Sequence, residues 1–209
     1  MSGDEESHYE KELGGKLLAS VSRSFYLTLK ALPKELREPI SLAYLLARTA
    51  DTLADTAAVP DHLRLACLRD FAALVRGRDH QPVAVFAESL RREFAPLQTD
   101  AAEKRLMLVV EQSLEWLGTL SGAPRDAVLE VLERIIAGQI LDIERFPADG
   151  RLRSLETAEE LDDYTWRVAG CVGEFWTRLC ASELQDAFET GVSVAGMIAD
   201  GIRMGQRLQ

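Results

Sequence analysis

The stretch SLAYLLARTADTLADT, Ser41 to Thr56, combines an apolar, helix-forming sequence with very few charges. From Pro39 to Val59 the only charged residues are Arg48, Asp51 and Asp55, and the segment contains no Lys, Glu or Gly. Burying a charge costs free energy unless the charge has a partner, so these three side chains need a specific environment. The stretch therefore predicts a largely buried helix that carries a narrow polar feature.

On a helix, at about 100° per residue, the polar residues of this stretch fall on one line. Tyr44, Arg48, Asp51 and Asp55 follow spacings of four, three and four, and so form one stripe along one face. Leucines lie opposite the stripe and small or apolar residues border it, which predicts that the stripe faces an internal cavity. The alternative is a solvated face, on which Arg48 and the aspartates would form only weak surface pairs.

The residue types in this stripe suit one kind of chemistry. Two carboxylates one helical turn apart offer oxygen ligands to Mg²⁺, which typically binds through one or two carboxylates together with substrate phosphates. Arg48, one turn earlier, adds a permanent cation that can bind the same phosphate oxygens. The constellation therefore predicts a diphosphate site in a helical cavity.

Three further stretches have polar or small residues in apolar surroundings. SRSF, Ser22 to Phe25, places anion donors beside an apolar wall, although a polar turn would look the same. YTWRVAGCVGEFWTRL, beginning at Tyr164, has glycines that permit close approach, although core packing explains most such faces. GQILDIERF, Gly138 to Phe146, places Gln139 and Asp142 one turn apart, which suggests an internal hydrogen-bonded pair.

Proline and glycine interrupt long segments of helical periodicity, and no segment alternates in the manner of a strand. At 209 residues, with 47% hydrophobic residues, the chain is long enough for one globular core. We expect an all-α, single-domain protein, residues 1–209, with a flexible acidic segment at 1–15. The predicted helices are 8–31, 35–57, 61–76, 83–94, 100–120, 125–146, 158–181 and 184–207.

Composition argues against several classes of protein. The net charge of −10 disfavours a protein whose main partner is nucleic acid, because phosphate binding needs clustered Lys and Arg. The acidic first residues do not resemble a signal peptide, and no uncharged run reaches the roughly 18 residues of a membrane span. The three cysteines lack a CxxC spacing, which favours a reducing compartment and a cytoplasmic location.

Taken together, these stretches resemble the squalene and phytoene synthase family, the head-to-head prenyl diphosphate synthases. The motifs SRSF, YLLARTADTLAD, GQILDIERF, YTWRVAGCVG and the closing MGQRLQ occur in the order expected for that family. The segments ALPKELR and DTLAD look closer to squalene synthases than to phytoene synthases. The resemblance implies the all-α prenyl synthase fold, in which helices surround a central cavity.

The resemblance also implies a role for individual residues. Asp51 and Asp55 would hold Mg²⁺, and Arg48 and Tyr164 would join them as catalytic residues, with Tyr164 near the reacting carbocations. The other implied residues bind substrate, either at its diphosphate or along its prenyl chain. They are Ser22, Arg23, Ser24, Phe25, Tyr44, Arg48, Val168, Ala169, Val172, Gly173, Leu208 and Gln209.

In the complete protein the resemblance implies condensation of two farnesyl diphosphates to squalene, with Mg²⁺ and NADPH, through a cyclopropyl intermediate. Release of a water-insoluble product would bring peripheral contact with a membrane. The family's second aspartate-rich motif would begin at Leu208, so we expect a longer protein whose C-terminal helices are missing here. A phytoene or dehydrosqualene synthase, or a non-catalytic prenyl-lipid-binding homologue, remains an alternative.

Overall fold

The computed structural model describes residues 8–22, 25–78, 81–147, 151–188, 191 and 193–208. Within these ranges every regular element is a helix, and the all-α prediction is confirmed. In chain order the α-helices are α1 (His8–Lys11), α2 (Leu18–Ser22), α3 (Phe25–Ala31), α4 (Lys34–Asp55), α5 (Asp61–Val75), α6 (Val83–Ser89), α7 (Ala101–Leu108), α8 (Val110–Thr119), α9 (Gly122–Arg145), α10 (Ala158–Thr165), α11 (Cys171–Glu183) and α12 (Val194–Leu208).

Helix α4 lies in the middle of the bundle and packs against α5, α7, α8, α9 and α11. Leu42, Leu45, Leu46 and Leu53 are fully buried, and so is Ala50. Burial of leucine side chains stabilises the fold by about 1.5–3 kcal/mol each, so this helix anchors the core. The prediction that α4 is buried nearly all round is confirmed.

Three of the predicted long helices contain a short π-helical segment. Glu12–Leu17 joins α1 to α2, Leu90–Phe94 follows α6, and Trp166–Gly170 joins α10 to α11. A π-helical turn holds one extra residue, which rotates the side chains that follow around the helix axis. The segment Trp166–Gly170 therefore decides which side chains of α11 face the centre of the bundle.

The predicted helix boundaries differ from the structure in three places. The predicted helix 100–120 is divided at Val109, whose φ of −113° and ψ of 15° are not helical. The helix predicted to begin at residue 184 begins at Val194, since Phe188 is extended and Gly191 has a φ of +94°. The predicted helix 8–31 begins at His8 as expected, but it is interrupted at Gly15, whose φ of −94° and ψ of −105° are not helical.

Helices α11 and α12 approach each other through glycine. A Cβ atom added to Gly173 would lie 1.9 Å from the carbonyl oxygen of Gly201, and one added to Gly205 would lie 2.5 Å from the carbonyl oxygen of Ala169. No side chain fits between the backbones at these points, so the two helices are in direct backbone contact. Among the described helices, none is long and apolar enough to cross a membrane.

Replacing Gly173 by alanine should lower the free energy of unfolding by about 1–3 kcal/mol, because the new methyl group forces α11 and α12 apart. Gly118 is the matched control, since a Cβ there has no heavy atom within 4 Å. Gly118→Ala should leave stability unchanged or raise it by up to about 1 kcal/mol, as expected for alanine in a helix. Urea unfolding of both variants measures the difference, and equal stabilities would contradict the close contact.

Candidate active site

A cavity of about 420 Å³, here called the main cavity, lies between α3, α4, α9 and α11. Its wall is mostly apolar, and its polar groups are concentrated where α4 contributes Tyr44, Arg48 and Asp51. The lining residues are Phe25, Ile40, Ala43, Tyr44, Ala47, Arg48, Asp51, Val131, Ile135, Gln139, Val168, Val172, Phe175 and Trp176. The cavity therefore suits a molecule with a long apolar part and a charged end.

Arg48 is held by carboxylates from two helices. It forms an ion pair with Asp51 on its own helix, and its Nη2 donates to Glu103 Oε1 of α7 at 3.0 Å. Gln139 of α9 donates from Nε2 to Asp51 Oδ1 at 3.2 Å. These contacts join three helices at the polar end of the main cavity, and they fix both the guanidinium and the Asp51 carboxylate.

The aromatic residues of α3 and α4 form the neighbouring part of the wall. The rings of Phe25 and Tyr44 lie with their centroids 5.5 Å apart. The Tyr44 hydroxyl donates to the carbonyl oxygen of Val21 at 3.3 Å, which ties α4 to the end of α2. Tyr44 thus presents its ring to the cavity while its hydroxyl is used for a structural hydrogen bond.

Asp55 does not lie on the main cavity, contrary to the prediction for the whole stripe. It is exposed at the C-terminal end of α4 and lines a second, polar pocket of about 240 Å³, here called the polar pocket. Thr52, Thr56, Gln98 and Glu103 also line this pocket. Asp51 borders both spaces. Leu53 and Ala54 in the last turn of α4 stay buried while Asp55 faces outward, so the stripe runs from an apolar cavity to a polar rim.

Electrostatics favour a cation at this rim. Partial loss of solvent around the Asp55 carboxyl in the polar pocket raises its pKa, and the charge of Asp51 raises it further, while Arg48 acts in the opposite direction. Burial also raises the pKa of Asp142 on α9. Since burial and like charges disfavour the ionised carboxylates, a bound cation would stabilise them.

The residues present fit a magnesium ion that completes its coordination with water and phosphate oxygens. Asp51 and Asp55 lie one turn apart beside the polar pocket, and Mg²⁺ commonly binds through only one or two carboxylates. Within the described ranges no group of three or more His, Cys, Asp or Glu side chains is arranged to hold a metal by itself.

The other residues predicted to bind substrate are divided between the main cavity and positions outside it. Phe25, Val168 and Val172 line the cavity as expected. Ser22 is buried elsewhere, and its hydroxyl donates to the Leu18 carbonyl at 2.6 Å, so its hydrogen is used within the helix. The predicted residues Arg23, Ser24 and Gln209 lie outside the described residues.

Ala169 and Gly173 were expected on the cavity wall, but the structure places them against α12. They lie one residue beyond Val168 and Val172, and therefore on the neighbouring row of the helix, which contacts Gly201 and Gly205. Leu208, on the last turn of α12, is 82% exposed and does not border the cavity. Another residue of that turn, Gln206, contacts α10 by donating to the carbonyl oxygen of Asp162 at 3.2 Å, while the Leu208 side chain faces solvent.

Tyr164 lies near Asp142 and not on the cavity wall. Burial raises the pKa of the Tyr164 hydroxyl, and the charge of Asp142 raises it further. Asp142 also contributes to the raised pKa of Asp55. Asp142 is therefore close enough to act electrostatically on both Asp55 and Tyr164.

Sequence reasoning missed two contacts at the site. Glu103 gave no signal beyond its position three residues after Asp100, a spacing typical of a helix start. Gln139 was noticed, but the expected pair with Asp142 is replaced by a hydrogen bond to Asp51. Both contacts join residues far apart in the chain, and a local pattern holds no information on such partners.

Comparison with known proteins agrees with this arrangement. The family model described as Squalene/phytoene synthase matches residues 18–209. The squalene synthase LSS of Botryococcus braunii is 28% identical over 164 residues, which cover 78% of this chain and 31% of that protein. The squalene synthase ERG9 of Saccharomyces cerevisiae is 29% identical over 167 residues, which cover 78% of this chain and 34% of that protein.

A solved structure of TcSQS with the ligand BPH1237 superimposes with a TM-score of 0.65 at 25% identity. The alignment covers 92% of this chain and 49% of that one. An all-α bundle around such a cavity is the isoprenoid synthase fold. The chain belongs to the squalene/phytoene synthase family. It spans about a third of the length of the curated relatives it matches.

Replacing Asp142 by asparagine should stabilise the protein at neutral pH. The raised pKa of Asp142 means that the folded state binds its proton more tightly than the unfolded chain, so stability falls as pH rises through the interval above 3.8. Asparagine does not titrate, so the variant should be more stable than the unchanged protein only at pH values where Asp142 is ionised in the folded state. Thermal unfolding from pH 3 to pH 8 measures it.

Asp126→Asn is the control, because Asp126 lies exposed on the same helix and the substitution removes the same charge. It should change the unfolding temperature much less at every pH. A destabilised Asp142→Asn protein at pH 7 would show instead that the carboxylate has a favourable partner in the folded state.

Proposed function

We propose that the complete protein condenses two farnesyl diphosphates head to head, through a cyclopropylcarbinyl diphosphate, to squalene. The observation that supports this most directly is the apolar main cavity, which ends at Arg48 and Asp51. A farnesyl diphosphate has the same division into a long apolar chain and a charged end. Family membership supports the reaction type, and the similarity to squalene synthases supports the product.

In this proposal the wall of the main cavity binds the prenyl chain. Val168 and Val172 of the α10–α11 segment and Phe25 of α3 face the cavity together with the apolar residues of α9. Such a wall excludes water from the reacting carbons. Exclusion is needed because water would capture an allylic carbocation before the second prenyl group could react with it.

The polar end assists departure of the diphosphate. Arg48 would donate to the diphosphate oxygens, and its fixed charge favours the leaving anion. Asp51 and Asp55 would hold Mg²⁺, which supplies positive charge that neutralises the diphosphate. Tyr164 is proposed, from family resemblance, to lie near the carbocations after ionisation, and the charge of Asp142 acts on both Tyr164 and Asp55.

The final reduction is proposed from family resemblance alone. Squalene formation needs a hydride, and NADPH is the proposed donor. No described residue is assigned to bind it, because neither the sequence nor the cavity contains a recognisable nicotinamide site. We propose a cytoplasmic location, with membrane contact at product release, and free cysteines Cys67, Cys171 and Cys180 support a reducing compartment.

Product analysis tests the proposed reaction as a whole. With farnesyl diphosphate, Mg²⁺ and NADPH the complete protein should give squalene, and without NADPH it should stop at the cyclopropyl diphosphate or give dehydrosqualene. Mass spectrometry of the extracted lipids identifies each product. Phytoene from geranylgeranyl diphosphate would overturn the substrate assignment, and no product from either substrate would favour a prenyl-lipid-binding role.

Asp51→Asn should slow release of diphosphate from farnesyl diphosphate by several orders of magnitude in the complete protein. The amide keeps the size of the carboxylate and removes the charge that would bind Mg²⁺. Diphosphate release across a Mg²⁺ titration measures the effect, with exposed Asp126→Asn as the charge-matched control. A rate similar to that of the unchanged protein would exclude the metal role of Asp51.

Arg48→Lys should weaken diphosphate binding by about tenfold or more, although it preserves the positive charge. Lysine lacks the planar fork that pairs with phosphate and carboxylate at once, so the contacts to Asp51 and Glu103 cannot both persist. Binding of a non-hydrolysable prenyl diphosphate analogue measures the loss. An unchanged affinity would show that the guanidinium does not contact the diphosphate.

A further inference from the structure

The guanidinium of Arg48 has two carboxylate partners that belong to different parts of the fold. Asp51 lies on the same helix, while Glu103 comes from the first turn of α7. The Nε atom of Arg48 is buried and has no hydrogen-bond partner among the described residues. Two anchors on a planar fork fix its orientation, since rotation about either one would break the other.

Asp51 and Glu103 would have different roles once substrate is bound. This step rests on the function proposed above, in which Asp51 holds the metal ion that accompanies the diphosphate. A carboxylate bound to a metal is a poorer partner for a guanidinium, because part of its negative charge is already neutralised. Glu103 is then the anchor that remains for Arg48.

We propose that Glu103 is a positioning residue, which holds the Arg48 guanidinium at the junction of the main cavity and the polar pocket while Asp51 binds metal. The location of the residues supports this role. Arg48 lines the main cavity, Glu103 lines the polar pocket, and Asp51 borders both. Nη1 pairs with Asp51 in this structure, so once Asp51 binds metal and Glu103 still holds Nη2, Nη1 becomes free for an anion in the cavity.

The backbone around Glu103 is suited to this task. The Asp100 side chain accepts hydrogen bonds from the backbone N–H groups of Ala102 at 2.7 Å and Glu103 at 3.2 Å, which caps α7. Helix α7 also packs against α4. The carboxylate is therefore presented from a fixed helix start, and its side chain is only 34% exposed.

The direction in which diphosphate affinity changes when Glu103 is removed distinguishes a positioning role from a purely electrostatic one. A carboxylate near an anion site repels the anion, so a residue that contributes only its charge would weaken diphosphate binding, and its removal would strengthen it. A residue that positions Arg48 has the opposite effect, because its removal lets the guanidinium turn away. Glu103→Ala and Glu103→Gln remove the same charge, but glutamine keeps an oxygen that can accept from Nη2.

Calorimetric titration of the protein with inorganic pyrophosphate at saturating MgCl₂ provides the test. Glu103→Ala should weaken binding by about tenfold to a hundredfold, the range expected for loss of a charge-assisted hydrogen bond, and Glu103→Gln should fall between it and the unchanged protein. In an Arg48→Met background, Glu103→Ala should cause no further loss. Equal or tighter binding by Glu103→Ala, or the same loss without Arg48, would overturn the proposal.

Glu133→Ala is the matched control, because Glu133 also pairs with an arginine, Arg76, away from both cavities. It should leave pyrophosphate binding unchanged. A loss as large as that of Glu103→Ala would show that removal of any paired glutamate has this effect, and would overturn the specific role.

Nuclear magnetic resonance gives a readout that does not depend on the diphosphate. The Nε–H signal of Arg48, identified by its absence in Arg48→Lys, should be sharp and slow to exchange, and Glu103→Ala should broaden it and speed its exchange. An unchanged signal overturns the positioning role. If the unchanged protein binds no pyrophosphate while this signal responds to Glu103→Ala, the proposed diphosphate site fails and the contact between Glu103 and Arg48 stands.

Discussion

The burial of α4 is the constraint on which the rest of the structure depends. Its leucines and alanines pack against neighbouring helices on almost every side, so a charged side chain on this helix has little access to solvent and needs a partner within the protein. Arg48 and Asp51 meet that constraint by pairing with each other and with side chains from α7 and α9. The polar end of the cavity is thus also the place where three helices are joined.

The carboxylates at this end of the cavity differ in how well their negative charges are balanced by partners. Asp51 has both Arg48 and Gln139 as partners, whereas burial and neighbouring carboxylates raise the pKa of Asp55 and burial raises that of Asp142. Surplus negative charge beside an arginine can receive a cation and an anion together. That combination is the requirement of a metal-bound diphosphate, whose charges are balanced only as a complex.

The sequence predicted the elements that depend on local periodicity and failed where distant partners decide. The apolar repeat of α4 and its polar stripe are properties of one helix, so they could be found without a structure. Glu103 could not, because its partner Arg48 is 55 residues away. Ala169 and Gly173 were predicted to line the cavity, but they face α12, because no local pattern showed that α12 would pack against this row of residues. The late start of α12 at Val194 depends on backbone angles at Phe188 and Gly191.

The backbone contact between α11 and α12 uses one row of residues for helix packing and leaves the neighbouring row to line the cavity. Gly173 on one row is fixed by Gly201, while Val168 and Val172 on the next row face the cavity. A change in the size of either valine would alter the volume of the main cavity without pressing on α12. The shape of the cavity can therefore change independently of the backbone contact that holds the two helices together.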